Sequence, residues 1–320
     1  MDNTNIFRWA TSELSQDAFI CWLMSFALKE NHGKNKALED CALDLLHKIP
    51  GLENASEISN IDRQSYYVDV LLTVGDHYVI VEDKAFTGIR EGQIPGYKQA
   101  LINDTGTRPE KIKTVLYTIS IQPQLGEDVD CIFTLEKLLE IMRPYKSTSN
   151  SDVFSYYVEY LEELAKGLQF DKLPISEWYG ETYKAFFEHL KKEGLLSEDC
   201  WYEYVPNPRG GFMGAWWDFH SVEIDPSGSY LKHVYMQIAG SIISVRIAVP
   251  DGEYDEEKVR LARQKIYDYF QSNIAEIQKR WHWGNSMAVC YITYDERNYR
   301  EQITKIQKVF DKMLKELRLP

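Results

Sequence analysis

Residues 66–84 read YYVDVLLTVGDHYVIVEDK, and this stretch decides the fold of the first half of the chain. Two runs rich in β-branched and aromatic residues flank the dipeptide Gly75-Asp76. That pattern predicts a β-hairpin, and glycine in the first turn position is typical of a type II′ turn. A two-residue turn fixes the register of the two strands, so we expect Val74 to face His77.

The register brings three charged side chains together at the open end of this hairpin. Counting outward from the turn, Asp69 faces Glu82 across the two strands. Because side chains alternate between the faces of a strand, Glu82 and Lys84 share a face and Asp83 points to the other. We therefore expect Asp69, Glu82 and Lys84 to converge on one side of the hairpin.

This convergence of charge is costly without a further partner. Directly opposed residues have Cβ atoms about 5 Å apart, and two carboxylates about 4 Å apart repel by about 4 kcal/mol at an effective dielectric constant of about 20. Lys84 offsets part of that repulsion, and a divalent cation such as Mg²⁺ offsets more, because it binds one or two carboxylates and retains waters. The spacing alone leaves two interpretations open, a metal site with a lysine beside it or a charged strand end with a surface salt bridge.

The order of these charged residues matches a known motif. Asp69 is followed, after twelve residues, by Glu82-Asp83-Lys84. This arrangement resembles the Asp…(Asp/Glu)-x-Lys signature of the PD-(D/E)XK nuclease superfamily. The proline that usually precedes the first acid is absent, and Val68 stands in its place. Many members of the superfamily share that departure, so the resemblance favours the metal-site interpretation.

Two further motifs lie in the order that this superfamily shows. Downstream, Gln93-Ile-Pro-Gly-Tyr97 resembles the Gln-x-x-x-Tyr motif of the RecB-like branch. Upstream, the segment that begins at Glu13 resembles the helix that supplies an additional acid. Asp17, one helical turn further on, is interpreted instead as a favourable charge near a helix N-terminus. The three motifs together cover about the first half of the chain.

The resemblance implies an α/β fold, with a PD-(D/E)XK (restriction-endonuclease-like) core whose mixed sheet is flanked by helices. It implies a metal-dependent nuclease that hydrolyses phosphodiester bonds of nucleic acid, with DNA preferred over RNA and Mg²⁺ or Mn²⁺ as the cofactor. The implied metal ligands are Glu13, Asp69, Glu82 and the backbone carbonyl of Asp83. Lys84 would orient the attacking water or stabilise developing negative charge, and Gln93 and Tyr97 would position the site. Such a family suggests a role in DNA repair, restriction or phage defence.

Composition places the chain among globular proteins and limits how it binds nucleic acid. The 320 residues include five scattered cysteines without a CxxC pair, which suits a reducing cytoplasm. The start of the chain lacks the basic flank of a signal peptide, and the apolar run over residues 19–28 is too short to span a bilayer. The formal net charge is −13. Because affinity for nucleic acid comes largely from Lys and Arg, binding must depend on local basic residues, bound metals or a partner.

The chain is long enough for two domains, which we place at residues 1–171 and 172–320. In the first, the pattern predicts helices at 12–30, 36–47, 91–103, 134–142 and 151–168 and strands at 57–62, 66–74, 77–84 and 111–122. In the second, it predicts helices at 176–196, 256–279 and 299–317 and strands at 201–204, 211–219, 230–238, 241–249 and 287–294. We expect a nuclease-like α/β domain followed by an α+β accessory domain.

The second domain is rich in aromatic residues, and these have two interpretations. Base stacking and phosphate contacts would use Trp201, Tyr204, Trp216, Trp217, Trp281 and Trp283 together with Arg209, Lys232, Lys279 and Arg280. Alternating aromatic residues on strands are more often core residues and cross-strand pairs, and we prefer that interpretation. A second copy of the chain or another protein are equally suitable partners for this domain.

An alternative to a nuclease is a catalytically silent or partner-activated subunit that keeps the fold and acts as a binding or assembly module. The intact set Asp69, Glu82 and Lys84 argues against it, because a decayed site usually loses a member. The acidic net charge argues for it. The two hypotheses differ in whether these acids bind a divalent metal.

Overall fold

The structure is a computed structural model, and it describes residues 4–10, 12–85, 89–121, 128–208, 210–223, 230–249, 256–280 and 286–316. The chain divides into two compact units, Met1–Lys166 and Gly167–Pro320, which we call unit 1 and unit 2. Unit 1 contains every residue that the sequence motifs assign to a catalytic site.

Unit 1 is built on a mixed sheet. Its strands are β1 (Asn60–Arg63), β2 (Val70–Val74), β3 (His77–Lys84), β4 (Ile112–Thr118) and β5 (Cys131–Phe133), in the spatial order β1-β2-β3-β4-β5. The first three strands pair antiparallel, whereas β3 and β4, and β4 and β5, pair parallel. The expected mixed α/β architecture is confirmed. β5 was not predicted, because three residues are too few to show a strand period.

The central hairpin has the predicted register. Val74 pairs with His77 across a two-residue turn, and Val70 pairs with Val81 at the other end. Gly75 has a φ of 58°, in the left-handed region where a glycine costs least. A one-residue shift of this register would move every side chain of a strand to the other face, so the turn decides where the acidic residues point.

Five α-helices of the described chain accompany this sheet: α1 (Glu13–Met24), α2 (Lys36–His47), α3 (Gln93–Thr105), α4 (Leu135–Met142) and α5 (Asp152–Gly167). α1 is shorter than the predicted helix at 12–30. Short 3-10 turns at Ser25–Ala27 and Lys29–Asn31 replace its last part. There the Asn31 side-chain amide donates to the Ser25 carbonyl at 2.8 Å. This local hydrogen bond competes with the helical pattern.

Helices cover both faces of the sheet. A small apolar space between the sheet and helices α1 and α2 is lined by Ile20, Leu45, Leu72, Val81 and Val115. On the opposite face, Leu71 and Ile80 pack against Leu101 of α3. Alternate residues of β2 and β3 therefore belong to opposite layers, as the two-residue period of a strand requires.

Unit 2 is an α+β domain with one antiparallel sheet. Its strands are β6 (Trp201–Val205), β7 (Phe212–Glu223), β8 (Tyr230–Ala239), β9 (Ile242–Ala248), β10 (Gln278–Lys279) and β11 (Ser286–Thr293), in the order β10-β11-β9-β8-β7-β6. Its α-helices are α6 (Gly180–Lys192), α7 (Glu256–Asn273) and α8 (Tyr299–Glu316). The predicted helix at 256–279 ends early, because Ile274 and Ile277 turn into the core ahead of β10. None of the helices in the described ranges of either unit has the length and apolar character needed to cross a membrane.

Candidate active site

The open end of the β2–β3 hairpin carries Asp69 and Glu82. Asp69 directly precedes β2, and its Oδ2 accepts a hydrogen bond from the backbone N–H of Asp83 at 2.9 Å. This bond fixes the half-buried Asp69 carboxylate against the end of β3. Asp69 lies two residues before Leu71, whose side chain packs toward α3, so strand alternation places Asp69 on the α3 face.

Glu82 lies at the centre of a hydrogen-bonded chain of side chains. Its Oε1 receives the Lys84 ammonium at 2.6 Å and the Gln93 side-chain amide at 2.5 Å. The same Gln93 amide nitrogen lies 2.7 Å from the Tyr97 hydroxyl. The structure thus brings Glu82, Lys84, Gln93 and Tyr97 together, and it places Asp83 on the other face of β3.

The start of α3 orients Gln93 toward the acids. Gly92 precedes the helix with a φ of 73°, a conformation that favours glycine. The Gln93 side-chain oxygen accepts a hydrogen bond from the Arg90 backbone N–H at 3.1 Å, which leaves the amide nitrogen to face Glu82. Pro95 falls in the first turn, where its missing N–H has no intrahelical partner to lose. Gln93 and Tyr97 are then one helical turn apart on the same face.

The second carboxylate oxygen of Glu82, Oε2, is the atom of this site best suited to bind a metal ion. Only 1% of the Glu82 side chain is exposed, and its Oε2 has no hydrogen-bond partner among the residues that the structure describes. A buried, unpaired carboxylate oxygen is costly. Two carboxylates beside a backbone carbonyl are the oxygen ligands that Mg²⁺ accepts while it keeps several waters. The residues present therefore fit a Mg²⁺ or Mn²⁺ ion bound by Asp69 and Glu82.

Glu13, the first residue of α1, acts on this site through its charge. It is one of the groups that raise the pKa of Glu82 and the pKa of Lys84. The Arg63 guanidinium donates to the Leu14 carbonyl at 3.2 Å and so ties β1 to the start of α1. Within the described ranges, however, no group of three or more His, Cys, Asp or Glu side chains is gathered closely enough to hold a metal ion. The structure does not gather Glu13 with Asp69 and Glu82 as a third ligand.

Burial and neighbouring charges set the protonation states of the site. Burial raises the pKa of Glu82 to about 7, against the lowering effect of its hydrogen bond with Lys84. Burial lowers the pKa of Lys84, but the hydrogen bond to Glu82 and the charges of nearby carboxylates outweigh it, so the pKa of Lys84 is raised on balance. Lys84 is therefore an ammonium at neutral pH, while Glu82 titrates near neutrality.

A second pair of acids lies on the opposite face of β3. Asp83 is fully buried, and the Gln16 side-chain amide donates a hydrogen bond to it. Burial, and next the adjacent Asp17, raises the pKa of Asp83 to about 9. Burial, and next the charge of Asp69, raises the pKa of Asp17 to about 6, while a hydrogen bond to Asp83 and the charge of Arg63 lower it.

The interpretation of Asp17 as a favourable helix N-terminal charge is wrong. Asp17 is the fifth residue of α1, beyond the first turn where the helix dipole acts, and its side chain is 1% exposed. It faces Asp83 instead. The sequence does contain a signal for this contact. Gln16 and Asp17 are polar residues inside a helix that is apolar on nearly all sides, so they need a polar partner in the core. Asp83 is such a partner, because it points to the face of β3 opposite Glu82.

Of the candidate aromatic residues of unit 2 that the structure describes, Trp216 and Trp217 are buried, as the preferred interpretation expected, whereas Trp201 is 46% exposed. Trp217 is fully buried, and its ring N–H donates to Gln307 of α8 at 3.0 Å. Trp201 and Trp216 stack on each other with ring centroids 4.4 Å apart. Tyr204 is exposed. The other candidates Arg209, Trp281 and Trp283 lie outside the described residues, as does the side chain of Lys232.

Comparisons of the chain with protein-family models, with curated proteins and with solved structures found no match. The likeness to the PD-(D/E)XK superfamily therefore depends on the three motifs and on the geometry of the hairpin and α3.

Proposed function

We propose that unit 1 is a metal-dependent nuclease that hydrolyses phosphodiester bonds, with DNA as its substrate in preference to RNA. The observation that carries this proposal is the grouping of Glu82, Lys84, Gln93 and Tyr97 beside Asp69 at one end of the hairpin. The unpaired Oε2 of Glu82 supports a cation at this position. The proposed fold is the PD-(D/E)XK core within the mixed α/β architecture.

In this proposal Asp69, Glu82 and the backbone carbonyl of Asp83 would hold the cation, while Glu13, which the structure does not gather with them, would act only through its charge. A bound Mg²⁺ or Mn²⁺ lowers the pKa of a coordinated water and neutralises charge on the scissile phosphate. Gln93 donates to one oxygen of Glu82 and contacts Tyr97, so the carboxylate is held in one orientation and its second oxygen would be available to a cation. The side chains are thus positioned before substrate arrives, which is the condition for electrostatic catalysis.

Lys84 supplies a permanent positive charge. Because its pKa is raised, it remains protonated and cannot accept a proton from the attacking water. It acts instead as a donor that orients the water or stabilises the negative charge that develops on the phosphate oxygens. Removing that donor leaves the carboxylates in place but takes away a charge that matters most in the transition state.

A second candidate function is a catalytically silent or partner-activated subunit of the same fold. Two observations favour it. The net charge of −13 opposes tight autonomous binding to DNA, and no preformed group of three ligands is present among the described residues. A partner that supplies a further metal ligand would explain the incomplete ligand group, and a partner that binds DNA would explain the acidic charge. Either partner is compatible with the presence of Asp69, Glu82 and Lys84.

A metal-binding measurement tests whether Asp69 and Glu82 are metal ligands or serve only the structure of the hairpin. We expect calorimetry to detect Mn²⁺ binding to the wild type and no binding to the double variant Asp69→Asn, Glu82→Gln. A matched control is the double variant Asp76→Asn, Glu110→Gln, which removes two exposed acids elsewhere in unit 1. The control should bind Mn²⁺ as the wild type does.

Cleavage of plasmid and single-stranded DNA with Mg²⁺ or Mn²⁺ completes the test. Metal binding with cleavage supports the nuclease. Metal binding without cleavage supports the partner-activated subunit. If the double variant at Asp69 and Glu82 binds Mn²⁺ as well as the wild type, neither residue is a metal ligand and the proposed site is wrong.

A further inference from the structure

The chain enters the candidate site through a sharply bent segment. Between β1 and Asp69, three non-glycine residues adopt left-handed backbone conformations: Gln64 with φ of 56°, Tyr66 with φ of 56° and Tyr67 with φ of 65°. Such conformations are uncommon for residues with a side chain, and they persist only where the surrounding contacts enforce them. Left-handed residues of this kind cluster at binding and catalytic sites.

Contacts on both sides of the bend enforce this conformation. The backbone N–H of Gln64 donates to the carbonyl of Asp69 at 3.1 Å, and that of Val68 donates to the carbonyl of Ser65 at 2.9 Å. Val68 is buried in the cluster beneath α3, and the Tyr66 hydroxyl donates to the Asp104 carboxylate on α3. The bend is therefore a fixed part of the fold, tied to the same helix that carries Gln93.

The residue that this bend presents to solvent is Tyr67. Its side chain is 88% exposed, which makes it the most exposed of the large hydrophobic side chains that the structure describes. It precedes Asp69 by two residues, so their Cα atoms lie within about 7 Å of each other. Its neighbour Val68 is buried, so Tyr67 is the solvent-exposed residue that lies next along the chain to the acidic site.

We propose that Tyr67 is a stacking platform for an unpaired base of the substrate next to the scissile phosphate, and that the site therefore prefers single-stranded DNA. This inference rests on the proposed nuclease function. An aromatic ring stacks on any base, because every base has a flat π-face. In a duplex the bases are already stacked and paired, so a ring at the rim gains this contact only from an unpaired base.

The position of Tyr67 favours this occupant over others. Tyr67 lies two residues before Asp69, one of the proposed metal ligands. A strand whose phosphate is bound at those ligands carries a base next to that phosphate, and a base is the flat group on which a tyrosine ring stacks. A chain with a net charge of −13 gains little affinity for DNA from its overall charge. In the proposed site a metal ion would attract the phosphate, and the Tyr67 ring would add a contact with the base. A backbone held in a fixed left-handed bend keeps the Cα of Tyr67 in place before substrate binds, which lowers the entropy cost of the contact.

The test uses the full chain and variants at position 67. Tyr67→Phe keeps an aromatic ring, Tyr67→Leu keeps apolar bulk without one, and Tyr67→Gly removes the side chain while suiting the left-handed backbone. The probe is a short single-stranded oligonucleotide with one 2-aminopurine, whose fluorescence falls when it stacks. Binding is measured with Ca²⁺, and KM and kcat for single-stranded DNA are measured with Mg²⁺. A matched control is Tyr179→Leu, an exposed tyrosine of unit 2 that belongs to no candidate site.

We expect Tyr67→Phe and Tyr179→Leu to match the wild type in fluorescence quenching and in KM. We expect Tyr67→Leu and Tyr67→Gly to lose the quenching and to raise KM by about tenfold to a hundredfold, with a smaller change in kcat. Thermal unfolding of Tyr67→Gly should match that of the wild type. If Tyr67→Leu and Tyr67→Gly keep the wild-type KM and quenching while the wild type cleaves DNA, this inference is wrong and the proposed nuclease stands. If the wild type neither binds nor cleaves DNA, both are wrong.

Discussion

At the scale of single residues, the candidate site depends most on Glu82. One of its oxygens holds Lys84 and Gln93, and the other is buried without a partner among the described residues. The same burial raises the pKa of Glu82 to about 7. A carboxyl group that binds metal must first lose its proton, so metal binding and protonation compete at this residue.

Mn²⁺ binding should therefore depend on pH. The acid form of Glu82 predominates below its pKa, so we expect Mn²⁺ affinity to fall by up to about tenfold between pH 7 and pH 6 and to change little between pH 8 and pH 9. Calorimetry in two buffers of different ionisation enthalpy would also show a proton released on binding at pH 6. An Mn²⁺ affinity that is equal at pH 6 and pH 8 would contradict this assignment.

Much of the grouping at this site was predictable from local rules. A two-residue turn and the alternation of side chains suffice to bring Glu82 and Lys84 to one face of β3. The hydrogen bond from Gln93 to Glu82 was not predictable in detail, because it depends on the left-handed Gly92 and on the Arg90 N–H that orients the amide. Contacts between distant segments, such as that of Asp17 with Asp83, lie beyond any local pattern.

At the scale of elements, β3 carries ionisable groups on both faces with different consequences. Its α3 face presents Glu82 and Lys84 to the site, while its α1 face buries Asp83 beside Asp17. The folded-state pKa of Asp83, about 9, lies above the unfolded value of about 3.8. Between pH 4 and pH 9, Asp83 is therefore protonated in the folded state and ionised in the unfolded state. The free energy of unfolding is highest below pH 4 and falls as the pH rises toward 9, because ionisation increasingly favours the unfolded chain.

Asp83→Asn should remove this loss of stability. Asparagine keeps the side-chain oxygen that accepts from Gln16 and does not ionise. We expect the free energy of unfolding at pH 8 to rise by about 1–3 kcal/mol, and to change little at pH 4. Chemical denaturation across this pH range checks it, with Glu110→Gln as a control that replaces an exposed acid. A variant with the same pH dependence as the wild type would show that Asp83 is charged in the fold.

Sequence patterns predict the positions of some helices and strands and fail to predict others. The strand β3 and the helices α4 and α8 follow clear periods and lie within a few residues of their predicted ranges. The strand predicted at 66–74 begins only at Val70, because Tyr66 and Tyr67 adopt left-handed backbone conformations outside the β region. β5 and β10 are too short for a period, and their positions come from pairing with neighbouring strands. The predicted helix at 12–30 is interrupted at Ser25, where side-chain hydrogen bonds replace helical ones.

At the scale of the whole molecule, each unit has its own sheet and its own hydrophobic core. Every residue assigned to the candidate site belongs to unit 1. In the part of unit 2 that the structure describes, Trp178, Trp216 and Trp217 are buried in the unit's own packing. The chain is acidic as a whole, so the proposed affinity for DNA would have to come from a bound cation and from a few local contacts.

The most direct test of the account is Mg²⁺-dependent cleavage of DNA by the wild type and by Lys84→Met. Methionine keeps much of the side-chain volume of Lys84 and removes its ammonium group. Because that group also lowers the pKa of Glu82, cleavage and Mn²⁺ binding are both measured at pH 8, where the Glu82 carboxyl is more fully ionised. The control is Lys111→Met, since Lys111 pairs with the exposed Asp76 at the turn of the hairpin, 2.7 Å away. The account predicts that Lys84→Met still binds Mn²⁺ but cleaves at least about a hundredfold more slowly than the wild type and Lys111→Met. Cleavage by Lys84→Met at the wild-type rate would contradict it.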